Sequence, residues 1–271
     1  KMTSYALRRM HLARETMKQV KSKVLVIGGK GGVGKTLMAA NLATALAMKG
    51  RKVTVLDQCF DAPTICRMLG FTGKRLRIES EGIVPAEGLL GIQLISMGLI
   101  LKEDEVLTWF HDMKRNATEE LLAAVDYSDV DYLVADIPTG TSSETVNIIK
   151  YMPGINSSLV VTVPSAVSQN VARKCIYILK KAGIPITGVV ENMSETSCPH
   201  CGQEVALIER GAGERMAAEE GIPFLGKVAT SQKVSTTLDD GEPFVIRYPD
   251  SEEAKVIMRI ADAVIKHCEG G

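Results

Sequence analysis

A doubly wound α/β fold, with a mainly parallel sheet and helices on both of its faces, is predicted for this 271-residue chain by two observations. Short, nearly all-apolar runs alternate with segments of helical character, the pattern of strands buried on both faces. The first of these runs also passes through a glycine-rich turn directly into a helix, which puts a ligand site at the carboxyl ends of the strands.

In chain order, residues 3–21 carry Tyr5, Leu7, Met10, Leu12, Met17 and Val20 among many charges and read as an amphipathic helix lying on the domain. Strands are expected at VLVIG (24–28), VTVLD (53–57), IQLISM (92–97), YLVADI (132–137), SLVVTV (158–163) and ITGVVEN (186–192), all short and rich in Val, Ile and Leu. Lys35 to Met48 reads as the helix between the first two. Gly70 to Gly91, rich in Gly, Lys and Glu, reads as an irregular excursion with room for a hairpin. A helix is expected from near Glu204, and EEAKVIMRIADAVIKHC (252–268) has the periodicity of a packing helix. No repeat, low-complexity tract or linker marks a second domain. Residues 1–22 are therefore expected to be a helical extension of a single domain spanning 23–271.

Lys+Arg and Asp+Glu are both 32, so no basic surface calls for nucleic acid and no acidic tail calls for a basic partner. No apolar run reaches the ~18 residues of a membrane span, and the charged N-terminal segment lacks the apolar stretch of a signal peptide. The C-terminal helix lacks the basic polar face of a membrane-binding tail. The expectation is a cytoplasmic protein with no membrane partner. Six cysteines (59, 66, 175, 198, 201, 268) are too scattered for a disulfide framework. Cys66, Cys175 and Cys268 fall in helical patterns and read as packed thiols.

The strand-to-helix turn reads VIGGKGGVGKT (26–36). Gly29, Gly34, Lys35 and Thr36 match G-x-x-x-x-G-K-S/T in the setting that motif requires, which makes the single domain a P-loop ATPase domain. The backbone from Gly29 through Lys30, Gly31, Gly32, Val33 and Gly34 can surround phosphate with N–H groups at a helix N-terminus. Lys35 is expected at the β- and γ-phosphates of ATP, and Thr36 on Mg2+. Asp57 and Asp136 close two strands, where a carboxylate can hold the metal's water or orient the attacking one. Lys30 is one lysine more than the motif uses.

In SCPHCGQE, Cys198 and Cys201 supply two thiolates, while tetrahedral zinc or a 4Fe-4S cluster takes four thiolate-type ligands. No second pair exists in the chain, but a two-fold axis past this loop would bring the partner's identical pair opposite. A cluster, a zinc knuckle and a redox or structural pair all remain open on the residues alone. His200, between the two, is expected to face solvent.

From about Val24 onward the sequence resembles the deviant-Walker ATPases, the group that includes MinD, ArsA and the nitrogenase iron protein. Within it, the chain is most similar to the Mrp/ApbC family of iron–sulfur cluster carriers. The likeness is carried by GKGGVGKT (29–36), DYLVADIPTGTSSE (131–144), VVENMS (189–194), CPHCG (198–202) and GEPFV (241–245). It implies a homodimer in which Lys30 reaches the partner's nucleotide, Asn192 hydrogen-bonds the adenine, and the Pro138–Thr141 segment senses the γ-phosphate. It also implies a cluster bridging Cys198 and Cys201 of both subunits, for delivery to apo iron–sulfur client proteins.

The chain departs from the family at the nucleotide. Asp57-Gln-Cys59-Phe-Asp61 stands where the family has Asp-Ala-Asp, so Cys59 replaces a carboxylate that helps order water, and Asp61 is the candidate substitute. Pro138-Thr-Gly-Thr, Trp109-Phe-His-Asp112 and Val228-Ala-Thr230 differ from the family's Pro-Pro-Gly-Thr, Trp-Arg-Gly-Pro and Ile-Pro. ATP binding is therefore expected, with slow hydrolysis. An ATP-dependent cluster carrier or scaffold is the leading function. A MinD-type regulatory switch with a zinc-stapled dimer and an ATP-dependent electron-transfer component are the alternatives.

Overall fold

The apolar runs pair, as expected, into one mainly parallel sheet. The computed structural model describes residues 4–80, 82–101, 108–138, 142–197, 204–206, 211–230 and 232–270. They form α1 (Ser4–Thr16), β1 (Ser22–Ile27), α2 (Lys35–Met48), β2 (Val53–Asp57) and a single turn, α3 (Ile65–Met68). Next come β3 (Arg77–Glu79), β4 (Gly82–Val84), β5 (Ala86–Glu87), β6 (Gln93–Ile95) and α4 (His111–Ala123). β7 (Tyr132–Asp136), α5 (Ser143–Tyr151), β8 (Ser157–Thr162), α6 (Ala166–Lys181) and β9 (Gly188–Ser197) then alternate. The last elements are β10 (Glu204–Ala206), α7 (Ala212–Glu220), β11 (Phe224–Thr230), α8 (Gln232–Asp240), α9 (Phe244–Arg247) and α10 (Glu252–Glu269).

The nine-stranded sheet runs β10-β9-β8-β1-β7-β2-β6-β5, with β11 also paired to β9. All its pairings are parallel except β10 with β9 and β5 with β6. β1 is central and buried along its whole length, between β7 and β8. The connections that leave its two sides diverge there, the switch point at which doubly wound sheets bind ligands. β3 and β4 make a separate antiparallel hairpin inside the 70–91 excursion.

Burial explains the helices. α2 is Ala- and Leu-rich and buried around most of its circumference, because it lies between the sheet and α10. α10 buries only one stripe, Ala254, Val256, Ile257, Ile260, Ala261 and Val264, and is capped by Ser251, whose hydroxyl accepts the Ala254 N–H at 3.2 Å. α1 covers less of the expected 3–21 span, since a 3-10 turn follows it at Met17–Gln19. It packs on α4 and is tied to β1 by buried Lys23, whose Nζ donates to the Met17 and Val20 carbonyls, both at 3.1 Å. No helix among the described residues is long and apolar enough to cross a membrane.

Two expectations are corrected. The helix expected from near Glu204 is instead strand β10: β9 continues to Ser197, and the returning chain pairs with it antiparallel, Glu204 opposite Ser197. An unpaired strand edge offers hydrogen bonds that a short return segment satisfies at once. The helix begins only at Ala212. β11 was not expected, because Gly226 and Lys227 break its apolar run, yet it pairs in parallel with β9.

Candidate functional site: the nucleotide loop and its acidic pair

The loop between β1 and α2 is held from two sides. Gly34 has φ +88° and abuts Asn192: a Cβ there would come within 2.1 Å of the Asn192 amide nitrogen. Gly29 lies against α6, where a Cβ would come within 2.4 Å of the Val171 backbone. Only glycine fits either contact. Asn192 is itself buried, and its Nδ2 donates to the Val33 carbonyl at 3.0 Å. The side chain expected at the adenine here braces the phosphate loop.

Lys35 is buried, and its Nζ donates to the Lys30 carbonyl at 3.2 Å. Burial lowers its pKa, while the nearby Asp136 carboxylate works against that shift. The Lys30 residue is exposed, and Val33 is buried beneath the loop. Thr36 follows Lys35 in the first turn of α2 and is half-buried; its hydroxyl and the Lys35 ammonium oppose the effect of burial on Asp136.

Asp57 and Asp136 end β2 and β7 and stand opposite each other in register. Both are almost fully buried. Asp57 accepts the Cys59 N–H at 2.8 Å and the Ser96 hydroxyl at 2.7 Å. The Cys59 thiol lies 3.8 Å from Asp136 Oδ2, and among the described residues Asp136 Oδ1 accepts no hydrogen bond. Burial, and for Asp57 the neighbouring Asp136 charge, push both carboxyls well above the usual carboxylate range. Burial also pushes the Cys59 thiol far up, reinforced by the two carboxylates. Such a set favours whatever brings positive charge to it. The residues fit a magnesium–nucleotide complex, with Thr36 as the ligand and the acidic pair as acceptors for metal-bound water.

Asp61 is placed differently. Its carboxylate is 70% exposed and pairs with Lys114 of α4 at 2.6 Å; Lys114 also reaches Glu144 at the start of α5, at 3.0 Å. Burial would raise Glu144, but its backbone hydrogen bond and Lys114 outweigh that and hold it down at about 2. The turn after β2 meets α4 a second time through the Gln58 Oε1, which accepts the Thr118 hydroxyl at 2.8 Å. Trp109 packs on Phe60 with ring centroids 5.2 Å apart, and His111 shares a 3.0 Å hydrogen bond with Ser143. Ser96, Gln58, Lys114 and Glu144 escaped sequence reasoning. Ser96, near the end of an expected strand, and Gln58 and Glu144, inside quoted motifs, carried some signal; Lys114 carried none.

Pro138 is half-buried, and Thr139, Gly140 and Thr141 lie outside the described residues, as do Cys198, His200 and Cys201. Cys66 and Cys175 are buried thiols in α3 and α6, and Cys268 is half-buried in α10.

Residues 19–265 match the ParA family model described as NUBPL iron-transfer P-loop NTPase. An iron–sulfur cluster carrier protein of Saccharolobus solfataricus is 39% identical over 254 residues, 93% of this chain and 86% of that protein. The human cytosolic Fe-S cluster assembly factor NUBP2 is 36% identical, covering 91% of this chain and 93% of its own. Among solved structures, a nucleotide-binding protein of Archaeoglobus fulgidus in complex with ADP superposes with a TM-score of 0.76 at 26% identity, over 87% of this chain and 92% of that one. The cell division ATPase MinD of Pyrococcus furiosus, with a TM-score of 0.67 at 22% identity over 91% of this chain and 99% of that one, shares the fold.

Proposed function

The chain belongs to the iron-transfer P-loop NTPases of the ParA family, and from that premise we propose that it is an ATP-dependent carrier which holds an iron–sulfur cluster between two copies of itself and hands it to apo-proteins. The observation that carries this reading is strand β9. Asn192 on β9 touches the phosphate loop at Val33, and the same strand ends at Ser197, immediately before Cys198. Six residues of strand span roughly 20 Å, so one element links the nucleotide to the cysteine pair.

In this reading the backbone of 29–36 and Lys35 bind the phosphates of ATP, and Thr36 ligates Mg2+. The acidic pair orders water, and Asn192 exchanges the Val33 carbonyl for the adenine when nucleotide enters. Lys30 acts across the dimer, and Cys198 and Cys201 of both subunits hold a 4Fe-4S cargo. Cys59 in place of a carboxylate leaves hydrolysis slow.

Anaerobic purification with iron and sulfide analysis and an absorption spectrum tests the cargo. About two iron atoms per chain, lost in Cys198→Ser, are expected from one four-iron cluster per dimer. Tight zinc without iron would instead favour a zinc-stapled switch. Lys35→Ala should abolish most binding of a fluorescent ATP analogue, and unchanged affinity would sink the nucleotide assignment.

A further inference from the structure

Beside the phosphate loop, the ligand-capable atoms of Asp57, Cys59 and Asp136 all lie within 4.8 Å of one another. We propose that these three side chains form a site for a thiophilic divalent cation such as Zn2+, bound by one thiolate and two carboxylates. The inference stands apart from the cluster-carrying reading, since it uses neither Cys198 nor Cys201.

Three features support it. Tetrahedral zinc with a sulfur ligand at about 2.3 Å and an oxygen at about 2.0 Å holds those two atoms about 3.5 Å apart. Cys59 Sγ and Asp136 Oδ2 stand at 3.8 Å, so little movement is needed. Asp136 is fully buried, yet among the described residues its Oδ1 accepts no hydrogen bond, leaving an acceptor that water cannot easily reach. The ligands are also held in advance. The Cys59 N–H and the Ser96 hydroxyl orient Asp57, and the Gln58 N–H donates to the Asp136 carbonyl at 3.0 Å.

The donor set decides the ion. Mg2+ takes an octahedron of oxygens and rejects thiolate, whereas Zn2+, Fe2+ and Co2+ accept mixed sulfur and oxygen ligands. Binding displaces the thiol proton to solvent, so the three ligands carry three negative charges against the single positive charge of Lys35. Because Asp136 pairs in register with Val26, near the end of β1 where the phosphate loop begins, a cation held there lies beside that loop and competes with the magnesium–nucleotide complex.

The test uses the full chain carrying Cys198→Ser and Cys201→Ser, stripped with chelator and titrated with Co2+ as a spectroscopic probe. One Co2+ per chain should bind, with the near-ultraviolet sulfur-to-cobalt charge-transfer band and the visible bands of tetrahedral cobalt. Zn2+ should displace it, and Mg2+ in about hundredfold excess should not. Adding Cys59→Ser should remove the near-ultraviolet band and weaken Co2+ binding at least about tenfold. Cys59→Asp should keep Co2+ with oxygen-only bands. Circular dichroism establishes that each variant folds. No thiolate band in the folded double variant would overturn the proposal. So would a band that survives Cys59→Ser, which would assign it to Cys66, Cys175 or Cys268.

Discussion

Asp57 and Asp136 face each other from neighbouring strands with almost no access to water, which makes their charge costly until a cation arrives. Asp57 is pushed up to about 7 from an ordinary value near 4. A raised carboxylate pKa means that the folded chain holds the proton more tightly than the unfolded one. The contribution of Asp57 to stability is therefore most favourable below about pH 4 and declines as the pH rises from there towards 7. Asp57→Asn removes that titration. Relative to the parent, it should stabilise the nucleotide-free protein by on the order of 2 kcal/mol at pH 8 and by little at pH 4.5, read by urea unfolding. An equal difference at both pH values would mean that Asp57 does not titrate in this range. The acids, Lys35 and Thr36 were legible in the sequence because each stands at a strand end or in a spaced motif. Ser96 and Gln58 were not fully legible, since the groups that give them meaning, Asp57 and Thr118, meet them only through the order of the sheet and the packing of α4.

At the scale of elements, Lys114 joins two segments, the turn after β2 through Asp61 and the start of α5 through Glu144. Its own side chain is only 15% exposed and that of Glu144 only 10%, so the pair is shielded from solvent in a way that surface pairs are not. Lys114→Met should cost about 1–2 kcal/mol of stability by leaving Glu144 unpaired. It should slow ATP turnover about tenfold while changing ATP affinity less than about twofold, because Lys114 positions these segments without forming part of the phosphate loop. Turnover that is unaffected, with stability reduced, would make the ion pair merely structural. A helix carrying Lys114 has no signature in sequence, whereas β1, β2, β7 and β8 announced themselves as apolar runs. β9 was legible only to Asn192. Beyond it Met193 adopts φ +54°, and the pairing with β11 shifts register between Val228 and Thr230, so the strand continues past a distortion that ends the apolar pattern. Non-glycine residues in that region cost about 1–3 kcal/mol and persist where the surroundings hold them. Here the distortion lies between the loop-bracing Asn192 and the cysteines.

For the whole molecule, the decisive question is whether two features of one chain report on the same two-fold axis. Lys30 is exposed, its carbonyl accepts from Lys35, and among the described residues its ammonium makes no hydrogen bond or ion pair, which is what the proposed action on a nucleotide in another subunit requires. In the proposed carrier, Cys198 and Cys201 would supply two of the four ligands a cluster takes, and an isologous pair of chains would supply all four. Removing each feature should separate the two roles. Cys198→Ser should lose bound iron and keep ATP affinity, because Cys198 lies beyond the end of β9 and the phosphate loop is braced by Asn192. Lys30→Ala should keep the iron but lose the shift from one mass to twice that mass on adding ATP, and should hydrolyse ATP at least about tenfold more slowly. Iron per chain and mass in solution, each measured with and without ATP, check both. A Cys198→Ser protein that remains a monomer and still carries a full cluster would place the cluster within one chain. A Lys30→Ala protein that dimerises and turns over like the parent would return that lysine to simple charge balance within its own loop.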